Sequence, residues 1–281
     1  MDETNKVPII KIENLCKKYS KAGKFAVQDF SLECFEGEIV GLLGHNGAGK
    51  STTLKCLTGI IPATSGKIEV LGFNIEKDAV QAKLNFGFVS DKHDVFVRMT
   101  GQEYLNFIAD AYGVSEQARK KRYDELETVF RMGDRIFDMI SDYSHGMRQK
   151  ICMMGSLIHN PKLWILDEPM IGLDPLTSSR VQEFMKNYAK QGNCILFSSH
   201  NIASVQKLCS RAVIIANSKK IDEIDIADFT QKHTDSDLEK YFLQLTTMST
   251  GGLGFGEARD ALTDESDSSA LDAADDCEIG E

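Results

Sequence analysis

No run of apolar residues in this chain approaches the eighteen or so that a membrane-spanning helix needs. Its start, MDETNKVPII, lacks the basic-then-apolar order of a secretory signal. Both absences lead to the expectation of a cytosolic protein. Paired cysteines are missing too: Cys16, Cys34, Cys56, Cys152, Cys194, Cys209 and Cys277 are odd in number, scattered and free of C-x-x-C spacing. That argues against a disulfide framework and against a zinc site, and most of them read as small buried hydrophobes. Basic charge is short, with 32 Lys and Arg against 42 Asp and Glu for a net charge of −10. The deficit looks like an argument against nucleic acid, but it is local. Residues 257–281 hold ten acidic side chains against Arg259 alone, so the rest of the chain is nearly neutral. No internal repeat is visible.

What is present is an ordinary globular composition, 42% hydrophobic and 26% charged over 281 residues. It suits one large α/β domain, with or without a small appendage. IIKIENLCKKY and FAVQDFSLECF alternate as strands, and EGEIVGLLG is a buried strand running into a glycine-rich loop. A helix is predicted from Lys50 with Gly59 at its end, then a turn and a strand over IPATSGKIEVLG. From about Thr100 to Leu157 the pattern turns helical, with Thr100 and Ser115 as candidate N-caps. KLWILD, NCILFSS and RAVIIAN then read as strands separated by helices, from Pro175 and from Asn201. The alternation predicts a mostly parallel sheet covered on both faces and interrupted by a helical insertion. A short helical stretch follows Ile224, and from about Thr250 the Gly, Ser and acid content predicts a disordered tail.

The chemistry concentrates in two places. Gly44-His45-Asn46-Gly47-Ala48-Gly49-Lys50-Ser51-Thr52 matches G-x-x-x-x-G-K-[ST] between a strand and a helix. Glycines there let backbone N–H groups turn inward around phosphates, and the helix N-terminus adds a favourable dipole. Lys50 would meet the β- and γ-phosphates of a nucleotide, and the Ser51 hydroxyl would ligate Mg²⁺. The second place is Leu163-Trp164-Ile165-Leu166-Asp167-Glu168-Pro169, which sets two carboxylates at the end of a buried strand, where open α/β sheets bind ligands. Asp167 would hold Mg²⁺, directly or through water, and Glu168 would act as general base on the attacking water. Alone, such an acid pair could equally be strand-end capping.

Ser144-His145-Gly146-Met147-Arg148-Gln149, ahead of the acid pair, resembles the signature segment of ABC ATPases, most often L-S-G-G-Q. Tyr19 sits where that family has an adenine-stacking aromatic, Gly172-Leu173-Asp174 resembles its D-loop, and His200 its switch histidine. Singly, each has a plainer explanation: Tyr19 as a core-edge tyrosine, Ser144 as an N-cap, His200 as a helix-capping histidine. Together, in order, they cover roughly residues 8 to 245.

The resemblance implies a P-loop NTPase of the ABC ATPase fold, with a mostly parallel sheet, an antiparallel β subdomain and a helical subdomain at about 92–160. The domain would span 1–246 with a helical extension at about 224–246, leaving 247–281 as acidic tail. It also implies a head-to-tail dimer in which Ser144, His145, Gly146 and Met147 meet the partner's ATP, His200 meets the γ-phosphate on the near side, and Asp174 links the two sites. Two departures stand out. Asp91 occupies the usual glutamine position and could reach Mg²⁺ or its water, and His145 and Met147 replace Gly and Gln.

The stretch from Lys50 to Ser144 is too short for coiled-coil arms, and only one phosphate loop is present. The resemblance then favours the nucleotide-binding subunit of a transporter, with ATP and Mg²⁺ as cofactors. Its partners would be a second ABC ATPase subunit and a separate permease, with no nucleic acid, and it would lie at the cytoplasmic face of the membrane. S-x-G-M-[RK]-Q and the closing Leu238, Glu239, Phe242 and Leu245 look like the bacterial exporter subfamily for drugs, peptides or ions. The last four also suit a plain amphipathic helix. Phe96 and Tyr104 could line a groove for a permease helix or simply pack on the surface. A soluble ABC-type ATPase uncoupled from transport is the alternative. A GTP switch would need an N-K-x-D segment, which the sequence lacks; a kinase would not need Ser144, and a non-catalytic subunit would not need both Glu168 and His200.

Overall fold

The computed structural model describes residues 7–92, 96–232 and 237–250. The chain divides into two units, residues 1–226 and 227–281.

In the first unit, β1 (Ile10–Lys18) pairs antiparallel with β2 (Phe25–Cys34) and with β4 (Ser65–Val70). The two-residue β5 (Phe73–Asn74) completes a sheet of order β2-β1-β4-β5. β1 begins with the alternation expected of a half-covered strand: Ile10 and Ile12 are buried while Lys11 and Glu13 are partly exposed. A second sheet has the order β10-β9-β3-β8-β7-β6. Its strands are β3 (Ile39–Leu43), β6 (Phe86–Val89), β7 (Leu163–Asp167), β8 (Cys194–Ser199), β9 (Arg211–Ala216) and β10 (Lys219–Asp225). All pairings are parallel except β10 with β9. Every residue of β3, β7 and β8 is buried, which explains their continuous apolar runs: a parallel strand covered on both faces has no polar side.

Helix α1 (Lys50–Leu57) follows β3, and Gly59 takes the left-handed φ of 67° just past its end, as predicted. α2 (Ala79–Leu84) precedes β6. Between β6 and β7 lies the helical insertion, α3 (Gly101–Ala111), α4 (Glu116–Phe130) and α5 (His145–Leu157). Thr100 and Ser115 cap α3 and α4. At α3 the cap is reciprocal, with Glu103 N–H donating to Thr100 Oγ1 at 3.2 Å and Thr100 N–H to Glu103 Oε2 at 2.8 Å. α6 (Pro175–Lys190) joins β7 to β8, and α7 (Ile202–Leu208), capped by Asn201, joins β8 to β9. Trp164 of β7 is fully buried edge-on to Phe184 of α6 at 5.8 Å, and its indole N–H donates to Ser156 Oγ at 2.9 Å. That cluster fixes α6 on the sheet.

The parallel sheet, the antiparallel sheet and the inserted helices are those expected. β5, β6, α2 and β10 are additions. β6 is only four residues with internal Gly87, and β10, KKIDEID, is an edge strand whose charges mask its apolar alternation.

In the second unit, α8 (Ile226–Lys232) and α9 (Asp237–Thr250) are helical, and the Phe229 and Tyr241 rings meet at 5.4 Å. Leu238, Phe242 and Leu245 are buried at helical spacing. The acidic segment 257–281, Cys277 and nearly all of the expected tail lie outside the described residues. Among the described residues no helix is long and apolar enough to cross a membrane.

Candidate nucleotide site

The C-terminal ends of β3, β8 and β7 lie side by side in the sheet, and the site is built there. From β3 the chain turns through Gly44–Gly49 into α1. Two positions demand glycine. A Cβ on Gly44 would fall 2.5 Å from the Ile215 carbonyl oxygen, and Gly49 has φ 115° with the Ala26 carbonyl oxygen 2.5 Å from where its Cβ would be. The close approach of β9 and β2 holds the loop between them.

Lys50 opens α1 and is only 5% exposed. Its ammonium donates to Gly44 O at 2.6 Å and His45 O at 3.3 Å, and lies 3.5 Å from Glu168 Oε1. Glu168 follows β7 with a left-handed φ of 50°. Its other carboxylate oxygen is 3.0 Å from His200 Nδ1. One carboxylate therefore bridges the phosphate-loop lysine and the histidine that follows β8.

Asp167 is fully buried at the end of β7. Burial pushes its pKa up, and the hydrogen bond from the Ser198 hydroxyl, with the Ser51 hydroxyl close by, holds it back. Its Oδ2 is buried with no hydrogen-bond partner. An orphaned carboxylate oxygen beside the Ser51 hydroxyl is a hard, all-oxygen donor set, which fits Mg²⁺ completed by phosphate and water oxygens. Asp91 lies near enough for its charge to raise the Asp167 pKa further. Its Oδ1 accepts from Ser90 Oγ at 2.9 Å and lies 3.7 Å from Lys55 Nζ.

Asn46, Gly47, Gly49, Lys50, Ser51 and Thr52 line a cavity of about 350 Å³ together with Asp91, Glu168 and His145. Tyr19 stands 66% exposed, its hydroxyl 3.2 Å from Thr52 Oγ1. Ala48 is buried beneath the loop.

The serine-led helix α5 sits on the same side. Ser144 is its N-cap, accepting from Met147 N–H at 3.3 Å, which is the plainer of the two roles open to it in the sequence. His145 packs on Gly172 and Gly146 on the Gly172 carbonyl. Asp174 caps α6, accepting from Thr177 N–H at 2.9 Å and from Thr177 Oγ1 at 2.6 Å, with Lys150 at 3.8 Å. Asp174→Ala is expected to cost about 1 kcal/mol, lowering the melting midpoint by about 2–4 °C, whereas Asp174→Asn still accepts from Thr177 and is expected to melt with the wild type.

One residue here escaped the sequence reading, and another, Gln149, was read only as part of the signature segment and given no role of its own. Ser198 Oγ donates to Asp167 Oδ1 at 2.5 Å and accepts from Glu168 N–H at 3.0 Å. Gln149, fully buried in α5, donates to Pro169 O at 2.9 Å and ties α5 to the turn after Glu168. The signal for Ser198 was a polar pair, Ser198-Ser199, closing an otherwise apolar strand.

The family described as ABC transporter matches residues 27–171. The linearmycin resistance ATP-binding protein LnrL of Bacillus subtilis is 35% identical over 76% of this chain and 68% of its own length. The ABC transporter ATP-binding protein NatA of the same organism is 33% identical over 78% of this chain and 89% of its own. Among solved structures, an ATP-binding subunit of an ABC transporter superposes with a TM-score of 0.74 at 28% identity, covering 91% of this chain and 99% of that one. The chain belongs to the ABC transporter family, as one of its ATP-binding ATPase subunits.

Proposed function

We propose that this subunit pairs with a second one around two ATP molecules and powers export through a separate membrane-spanning permease. The observation that carries the hydrolytic half is the Glu168 carboxylate set between Lys50 Nζ and His200 Nδ1 at the mouth of the phosphate loop. In this reading the loop amides and Lys50 hold the β- and γ-phosphates, Tyr19 stacks on adenine, and Glu168 takes a proton from the attacking water. His200 keeps Glu168 oriented and donates to the γ-phosphate as charge develops. Ser51, Asp167 and Asp91 would hold Mg²⁺, which neutralises charge on the polyphosphate when bound.

A single chain leaves the outer side of the nucleotide uncovered in this reading, since Tyr19 and Thr52 face solvent. Closure then falls to the N-terminus of α5 in a second subunit, where Ser144, Gly146 and the helix dipole suit a γ-phosphate, with His145 and Met147 alongside. Asp174, capping its own helix, would lie at that interface.

A groove of about 350 Å³ between β6, α3 and α5 supports the permease half. It is lined by Phe88, Tyr104, Ile108 and Tyr112. Beside it Phe96 and Phe107 are both exposed and meet edge-on at 5.2 Å. A groove that mixes these aromatics with polar residues such as Lys92 and His159, flanked by exposed aromatics, suits a short amphipathic helix of a membrane partner. The likeness to a linearmycin resistance protein supports export as the direction. Co-purification from detergent-solubilised membranes is expected to recover a polytopic protein with this chain, and a Tyr104→Ala, Phe107→Ala double variant to lose it while still binding ATP. Recovery only with ribosomes would contradict the transport reading and leave the ATPase one standing.

A further inference from the structure

We propose that Ser198 is a positioning residue for hydrolysis, one hydroxyl that fixes both the Asp167 carboxylate and the backbone of Glu168. The inference rests on the reading of Glu168 as general base.

Ser198 is fully buried in the middle of the sheet. On one side its register partner is Leu42 of β3, on the other Asp167 of β7, so parallel ladders hold its backbone from both directions. A serine hydroxyl has one proton and two lone pairs. Here the proton goes to Asp167 Oδ1 at 2.5 Å, and a lone pair receives Glu168 N–H at 3.0 Å. Each bond answers a specific problem.

The first concerns Glu168, whose φ of 50° departs from strand geometry immediately after β7. For a residue with a Cβ this left-handed conformation costs about 1–2 kcal/mol. The Ser198 oxygen accepts the Glu168 N–H at 3.0 Å and so pins the peptide from which that turn departs. In that conformation the Glu168 side chain reaches Lys50 at 3.5 Å and His200 at 3.0 Å. An extended backbone would send the side chain elsewhere, because a change of that size in φ swings Cβ.

The second concerns Asp167, a buried carboxylate with two oxygens. Ser198 occupies Oδ1, and Oδ2 is left without a hydrogen-bond partner. By holding one oxygen the serine decides which way the carboxylate plane faces. Supporting donors of this kind, behind the groups that touch the reacting atoms, are worth about 10–100-fold in activity.

The test uses the full chain and four variants. Ser198→Ala and Ser198→Cys remove the hydroxyl, Cys at nearly constant volume with only a weak donor, while Ser198→Thr keeps it; Glu168→Gln reports on the underlying reading. Turnover with Mg²⁺ and ATP is measured beside the Kd for ATP in EDTA, which senses the phosphate loop alone. The expected result is that wild type and Ser198→Thr turn over within about threefold of each other, and that Ala and Cys fall about 10–100-fold below them. All five proteins should bind magnesium-free ATP within about threefold of one another. If Ala fails to fold, Cys against Thr decides alone. Any other grouping of turnover, or a loss of magnesium-free binding that parallels the loss of turnover, overturns the proposal. If instead Glu168→Gln turns over like the wild type, it is the general-base reading that fails.

Discussion

Glu168→Gln is expected to bind ATP as well as the wild type and to hydrolyse it about 10²–10⁴-fold more slowly, the range that a positioned general base contributes. The amide keeps the volume and can still hydrogen-bond His200, 3.0 Å from the native carboxylate. It cannot accept a proton from water at neutral pH. Because binding and hydrolysis are separated by this one change, the variant should accumulate with nucleotide bound. If closure of the site needs two chains, it should run as a dimer in size-exclusion chromatography with Mg²⁺ and ATP. Wild-type turnover by this variant would remove Glu168 as the base.

Lys50→Ala is expected to lose nucleotide affinity and turnover together. The ammonium lies against Glu168 and the loop carbonyls, and it is buried, so its attraction for phosphate is little screened by solvent. Removing one preorganised donor to developing charge costs about 2.7–4 kcal/mol, or 10²–10³-fold in rate. Alanine also leaves the space of the four-carbon stem empty. Lys50→Met, close to the native volume, therefore separates the two causes. Equal loss of ATP binding by isothermal titration in both variants, with a normal melt for Met, is the expected outcome. Near-native affinity in Lys50→Met would mean that the stem, not the charge, matters.

The two variants differ in kind, and the difference follows from position. Lys50 sits on the loop proposed to grip the polyphosphate, so its loss should weaken ground state and transition state alike. Glu168 sits across the cavity from that loop, so its loss is felt in turnover.

The elements bearing this site were readable because each obeys a short-range rule. G-x-x-x-x-G-K-S is recognised from eight consecutive residues, although what makes Gly44 and Gly49 obligatory is the approach of Ile215 and Ala26 from elsewhere in the fold. LWILD and CILFSS are apolar up to the polar residues at their C-terminal ends because both faces of a parallel strand are covered. Thr100 with Glu103 announces a helix start from four residues alone. The elements that were not readable depend on partners distant in sequence. β6 is a strand because Phe86–Val89 lies in register with Leu163–Leu166, more than seventy positions later. β10 is the exception: its partner β9 ends only a turn before it, and it is the charges of KKIDEID that hide its alternation.

The same divide runs through the site. Asp167 and Glu168 stand adjacent in the chain, so both could be named from it. Ser198 is thirty-one positions from Asp167 and becomes their neighbour only because β8 inserts beside β7. The contact of His145 with Gly172 is likewise tertiary, and it places a signature residue on the wall of the chain's own phosphate-loop cavity as well as at the N-terminus of α5.

In the proposed cycle one chain grips the polyphosphate and a second chain must close over it before hydrolysis proceeds. The most direct measurement is ATP turnover per chain as a function of chain concentration, from well below to well above the dimer dissociation constant, at saturating Mg²⁺ and ATP. Turnover per chain that climbs steeply and levels off as dimer forms is the result this account requires. Full turnover per chain at the lowest concentration, where light scattering finds only monomer, would contradict it.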